Sequence, residues 1–360
     1  MARQKENIIK KGQFLLESVS RYRSEIYGLS IIWIFLFHMK QIEGWEVFKD
    51  VPKLQWINEI HGMGNMGVDV FLFMSGICLY FSFVKNEDIM EFIKKRMTKI
   101  FLPLFLITGP LWIVYLVMHE ITLPGLFCRM SLISYWVSGD IQVWFSSLIL
   151  VLYLIYPYVY YYMFKNTEWK TAAFRASMLI LLVVLLTVCI QHDVPEYFEM
   201  FFHALPRIPV FLCGCFLGKW VYEKKSIPLI LPVTATVAFF VLKNYLQQTE
   251  RYKGLTQRYT YWLGGMVFVF LFAVVLPFLP KVIHRILSFL GGISYELYLS
   301  HVTLIRVLKL EPFSSARENK ATEAVLLAVL SILLSVVVSS ILKWILNRKK
   351  AGCNFKQKVL

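Results

Sequence analysis

Hydrophobic positions in this chain are gathered into blocks of about twenty, with polar residues confined to short intervals between them. A helix needs about 20 largely apolar residues to cross a bilayer. That criterion predicts ten spans, near residues 24–41, 62–84, 99–119, 142–164, 172–191, 202–222, 227–246, 260–280, 286–307 and 322–346. The stretch 121–138 is also apolar, but Pro124, Gly125 and Arg129 interrupt it, and it reads as interfacial or re-entrant. The expected fold is an all-α polytopic bundle. Its membrane domain covers 23–346, between a basic N-terminal segment (1–22) and a basic tail (347–360).

Composition sharpens this picture. The chain is 58% hydrophobic and only 17% charged, whereas roughly a quarter of a soluble domain is charged. The formal charge of +15, from 38 Lys and Arg against 23 Asp and Glu, would suggest nucleic acid in a soluble protein. Here it reads as topology. With the N-terminus inside, roughly two in three basic residues fall on the cytoplasmic side, so both termini are expected there and no nucleic-acid partner is expected. The loops near 243–259 and 307–321 are more basic than an outer location favours. Arg3, Lys5, Lys10, Lys11, Arg21 and Arg23 precede the first apolar run without a small-residue cleavage site, so that run is expected to remain as an anchor. Cysteines 78, 128, 189, 213, 215 and 353 form no CxxC pair, and neither a disulfide framework nor a bound metal is expected.

Polar groups inside spans are costly, so they are the candidates for chemistry. His38 ends the first span; it is either an interfacial helix-end residue or a general base able to take a proton from a hydroxyl. Asp69, about two turns into the second span, lies near the same level, where it could orient that imidazole or serve helix packing alone. Ser75 and Gly76 read as close-packing residues. At the opposite end, Lys94, Lys95, Arg96 and Lys99 lead into the third span. They are either topology charges or, with Arg96 and Lys99 on one helical face, a phosphate site. Arg207 lies within a span one turn after His203 and requires an acidic partner, such as Asp69 or Glu296, or a ligand. Ser294, Tyr298 and His301 share one face of a helix, after a Gly291–Gly292 pair that permits a break or a close approach. Such a stripe lines a cavity or packs on a neighbour.

Taken in order, LFH at the end of the first span, GVDVFLFMSG, the basic start of the third span, Trp144–Phe145, RIPVFLCGCFLG and GGISYELYLSH resemble the acyltransferase-3 family of bacterial membrane acyltransferases over about residues 22–345. The resemblance implies a multi-pass enzyme of the inner (cytoplasmic) membrane. It would move an acyl group, in most members acetyl, from cytoplasmic acyl-CoA to a hydroxyl of a surface glycan or lipid-linked saccharide. His38 takes the place of the family's essential first-helix histidine, and Arg96 and Lys99 match its RxxR motif, thought to meet the donor phosphates. Lys95 is grouped with them, and Trp144, Arg207, Glu296, Ser294, Tyr298 and His301 with the acceptor or the cavity. Two departures stand out. Tyr27 occupies the position where many members carry an arginine, with Arg23 one turn back, and Lys99 lacks the bidentate fork of the second motif arginine. No SGNH-type esterase domain follows within these residues, so direct transfer or a separate partner is expected. A non-catalytic exporter of glycan or lipid, or a degenerate member of the family, would share the same bundle.

Overall fold

The computed structural model describes residues 9–10, 12–39, 55–249, 253–308 and 320–359. It is a helical bundle organised around one interior helix. We number the principal helices α1 (Arg23–Met39), α2 (Met66–Phe83), α3 (Ile89–Ile107), α4 (Gly109–Val117), α5 (Trp144–Phe164), α6 (Trp169–Asp193), α7 (Pro195–Phe201), α8 (Ile208–Tyr222), α9 (Ile230–Gln248), α10 (Gly254–Val275), α11 (Lys281–Gly292), α12 (Ser294–Val307) and α13 (Lys320–Val359). Short strands Ile9–Lys10, Gln13–Leu15 and Ser226–Pro228 pair antiparallel, tying the N-terminal segment to the turn after α8.

Helix α2 is apolar on every side and buried on every side, which marks a helix surrounded by protein. Its backbone touches its neighbours because glycines face the contacts. A Cβ at Gly76 would strike the backbone of Phe211 and Cys215 in α8, and one at Gly214 would strike the backbone of Phe73 in α2. Lipid tails supply little hydrophobic drive between helices, so such close packing carries the association. Replacing Gly214 by leucine is expected to force α2 and α8 apart and destabilise the protein by about 2 kcal/mol or more. A melting curve of the detergent-purified variant, set against wild type, measures this.

Among the described residues six helices are long and apolar enough to cross a membrane, or up to eight if each bent pair forms one span. The ten continuous spans read from the sequence are therefore revised where the chain breaks. The third is α3 and α4, bent by 47°, where Gly109 and Pro110 interrupt the backbone hydrogen bonding. The sixth is bent by 62° between α7 and Leu205–Tyr222, at an elbow holding Pro206, Arg207 and Pro209. The ninth is two helices. Gly291 lies against the backbone of Ser24 in α1, and Ile293 leaves the helical region at φ −119°, ψ 19°, ending α11 before α12 begins. The segment 121–138 folds as two short helices, Leu123–Met130 and Ser134–Ser138, held down by an Arg129–Asp140 ion pair at 2.9 Å. At about 1.5 Å per residue neither can span. Helix α13 continues through the segment read as a tail. Arg3, Lys5 and Lys11, and residues 309–319 of the basic loop at 307–321, lie outside the described residues.

Two charges of the over-basic loop at 243–259 prove to be interior. Lys243 and Arg258 are buried, Lys243 donating to Gln247 Oε1 at 3.3 Å. Their burial removes part of the conflict with the charge rule, which concerns exposed loop residues. By contrast, only 11% of the residues in the apolar stretch of α6, and likewise of α9, are buried, as in lipid-facing helices.

Candidate functional site: a cavity between a cationic end and a histidine pair

The packing of α1, α2, α3, α5, α12 and α13 leaves a cavity of about 390 Å³ in the bundle. Its residues follow from the direction of each helix. Helix α3 brings Arg96 and Lys99; α12 brings Ser294, Tyr295, Glu296 and Tyr298; α13 brings Lys343. Arg96 lies over the rings of Phe92 and Tyr153, at 5.2 and 5.4 Å from their centroids. Those faces hold the guanidinium in place without neutralising it. The charges of Arg96 and Arg23 both act on Lys99, and Glu296 lies in the field of Lys343 and Lys99. This end of the cavity is cationic.

Helix α12 then runs from this end towards the end of α1. Its Ser294 and Tyr298 line the cavity, and three residues further on is His301. Tyr298 packs edge-on against His301 at 5.7 Å, and Ile34, on the cavity wall, lies one turn before His38. The two imidazoles meet: His301 Nε2 is 3.3 Å from His38 Nδ1.

The hydrogen bonds of this pair assign the protons. His301 Nδ1 is 2.7 Å from the Leu297 carbonyl and His38 Nδ1 is 2.9 Å from the Ile34 carbonyl. A carbonyl only accepts, so both Nδ1 atoms carry hydrogen. In the neutral His301 ring, Nε2 is then an acceptor facing the Nδ1–H of His38. The same assignment leaves Nε2 of His38 with its lone pair, the form required of a general base.

Asp69 does not orient His38. Its carboxylate pairs with Arg207 Nε at 3.3 Å, with both side chains about 1% exposed. The proline-flanked elbow before α8 directs Arg207 inward. Its other nitrogens donate to Asn65 Oδ1 at 2.6 Å and to the His203 carbonyl at 2.8 Å, and its guanidinium lies 5.0 Å from the Trp144 ring centroid. A buried cation takes the nearest buried anion because leaving either unpaired costs several kcal/mol. That demand determines which of the two partners for Asp69 is realised, and the histidine finds another orienter in His301.

The other sequence candidates divide in the same way. Lys95, one residue from Arg96 and therefore on another face of α3, pairs with Glu91 at 2.5 Å on the surface. It is not part of the cavity wall, whereas Arg96 and Lys99 are. Ser75 lines the cavity beside Tyr27, so it is more than a packing residue; Gly76 alone makes the close helix contact. Tyr27, in the place of the family's arginine, stacks on Phe71 at 5.1 Å with its hydroxyl 3.9 Å from Cys78 Sγ. Arg23, one turn earlier on α1, is exposed and does not line the cavity, and only its charge acts on Lys99 and Cys78. Sequence reasoning missed Arg258, Asn65, Tyr153 and Lys343. A signal for Arg258 was present: it is seven residues before Gly265, two helical turns along one face, and Gly265 packs against Asp69.

Fold and site together define a multi-pass helical membrane protein with an internal cavity, cationic at one end and leading to a histidine pair near the other. A family model described as an acyltransferase domain matches residues 28–344. The chain belongs to the acyltransferase-3 family and is a membrane acyltransferase. No curated protein and no solved structure matches it.

Proposed function

We propose that the protein is an O-acyltransferase of the bacterial inner membrane, transferring acetyl from cytoplasmic acetyl-CoA to a hydroxyl of an extracytoplasmic or lipid-linked glycan. The observation that carries this reading is the cavity itself, which extends from Arg96 and Lys99 to Ile34 and Tyr298, beside His38 and His301. Phosphates of the donor would rest on Arg96 and Lys99, with Arg23 and Lys343 adding to the field and the acyl arm lying along the apolar wall. Donor and base then sit at opposite ends of one passage.

The reaction follows from the tautomer. An acceptor hydroxyl gives its proton to Nε2 of His38 as its oxygen attacks the thioester carbonyl. The tetrahedral intermediate collapses with cleavage of the carbon–sulfur bond, and coenzyme A leaves as the thiol, the proton returning from the imidazolium. His301 holds the His38 ring. No metal is required, and transfer is direct.

The test uses purified protein in liposomes with acetyl-labelled acetyl-CoA on one face and a library of surface oligosaccharides on the other. Labelled ester on an oligosaccharide, with stoichiometric release of coenzyme A thiol, is the expected result. An exporter or a catalytically degenerate member would release no coenzyme A and form no ester.

The donor site has its own check. Replacing Arg96 by alanine is expected to raise the KM for acetyl-CoA about tenfold or more, since a charge-assisted phosphate contact is worth roughly 1.5–3 kcal/mol. Lys95→Ala, on the outer face of the same helix, should leave KM within about twofold. Initial rates against donor concentration distinguish the two.

A further inference from the structure

Beside the Asp69–Arg207 pair lies a second buried guanidinium that the transfer chemistry does not use. Arg258, in the first turns of α10, is 5% exposed. Its Nε and Nη1 are buried without a hydrogen-bond partner, and Nη2 lies 3.4 Å from His203 Nδ1. Its guanidinium covers the face of Phe202 at 4.4 Å. Among the described residues it makes no ion pair within 4 Å; Asp69 lies in its field but is already engaged by Arg207. The cluster thus holds two arginines and one carboxylate, a net positive charge in the interior.

An uncompensated buried cation is among the most expensive features a membrane protein can keep, and one that persists marks a place where a ligand supplies the missing charge. The surroundings agree. Asn65, Trp144, Phe202 and His203, around the two guanidiniums, are only partly buried, so the cluster is not sealed on every side. It also stands close to the reacting end of the passage. The field of Arg207 reaches Tyr298, and Tyr298 packs on His301, which contacts His38. Near the other side, Gly64, beside Asn65, lies against Trp33 and Phe37, the latter next to His38.

Building on the acyltransferase reading above, we infer that Arg258 and Arg207 form an anion-recognition site for the acceptor, so that the acylated hydroxyl belongs to a molecule carrying a carboxylate or phosphate. With the one aspartate taken by Arg207, Arg258 Nε and Nη1 are left free for a single acidic group, and planar forks suit either oxyanion. Neutral glycans would leave Arg258 unpaired and would bind weakly.

The test separates binding from transfer. Melting temperatures of the detergent-purified full chain are measured with trigalacturonate, with its carboxyl-reduced trisaccharide, with undecaprenyl phosphate and with undecaprenol. At saturating concentration an acidic probe is expected to raise the wild-type transition by about 3 °C or more, while its neutral counterpart leaves it unmoved. A shift with trigalacturonate assigns a uronate-type acceptor; a shift with undecaprenyl phosphate alone assigns the phosphate of a lipid-linked one. Arg258→Met removes the surplus charge at similar volume. It is expected to raise the melting temperature of the unliganded protein and to abolish the probe-induced shift, whereas a merely structural arginine would melt lower when replaced. Arg258→Lys, which keeps the charge, should retain part of the shift. Equal shifts with acidic and neutral probes, no shift with either acid, or an undiminished shift in Arg258→Met overturns the inference. Because no probe needs to be acylated, these outcomes stand whether or not acetyl transfer is found.

Discussion

Replacement of His38 by alanine is expected to lower acetyl transfer by about 10³-fold, within the 10²–10⁴ range typical of a positioned general base, while donor affinity stays near wild type. The split follows from the geometry. His38 is at the end of α1, with its Nδ1 proton held by the Ile34 carbonyl and shared with His301 Nε2. Arg96 and Lys99, which hold the donor phosphates in the proposed reaction, lie on α3 at the other end of the cavity. Removing the imidazole therefore removes the proton acceptor without touching the phosphates. His301→Ala acts one step further out and should cost less. It leaves His38 with its Ile34 contact, so the nitrogen that carries hydrogen is preserved and only the second orienting contact is lost. Rates of ester formation measured beside coenzyme A binding resolve the two effects. If His38→Ala, folded and binding donor, still transfers at the wild-type rate, the general-base role is wrong.

The second large effect concerns stability. Asp69→Asn is expected to destabilise the protein by about 3–5 kcal/mol, because it leaves Arg207 buried beside Arg258 with no carboxylate between them. The rescue is as informative as the loss. Removing the cation as well, in Asp69→Asn with Arg207→Gln, should recover most of the stability, since the uncompensated charge and not the missing hydrogen bond dominates the cost. An aspartate acting as the orienter of His38 would behave in the opposite way: the single variant would fold normally, lose activity, and gain nothing from the second change. Thermal melting of the three variants decides between these outcomes.

Much of this site could be read along the chain because membrane insertion penalises charge. His38, Asp69, Arg207, Glu296 and His301 stand out as polar groups in apolar runs, and each proves to line the cavity or to join a buried polar contact. Arg96 and Lys99 are legible from their three-residue spacing, which shares a helix face. Lys95, next to Arg96, belongs to a different face, and grouping it with the site neglects that phase. Arg258 is easily passed over because it precedes an apolar run and resembles an ordinary loop charge; its spacing from Gly265 gains meaning once the fold sets that glycine against Asp69. The continuity of the ten spans is overstated for a similar reason. The apolar content of a segment is blind to the breaks at Gly109–Pro110, at Pro206–Pro209 and after Gly292, where local backbone chemistry ends a helix without making the segment any less apolar.

Long apolar blocks mark a multi-pass helical membrane protein and ordered motifs mark the acyltransferase-3 family, and both can be read along the chain because neither depends on which residues meet in space. Which groups act together was decided only by tertiary structure. Asp69 had two plausible partners in sequence, His38 and Arg207, separated by 31 and 138 positions. The elbow before α8 and the glycine-mediated approach of α8 to α2 bring the cation to the carboxylate. The break after Gly292 starts α12 beside the cavity and carries His301 to His38. Pairing of buried charges is a property of three-dimensional proximity in a low-dielectric interior, and no spacing along the chain encodes it directly.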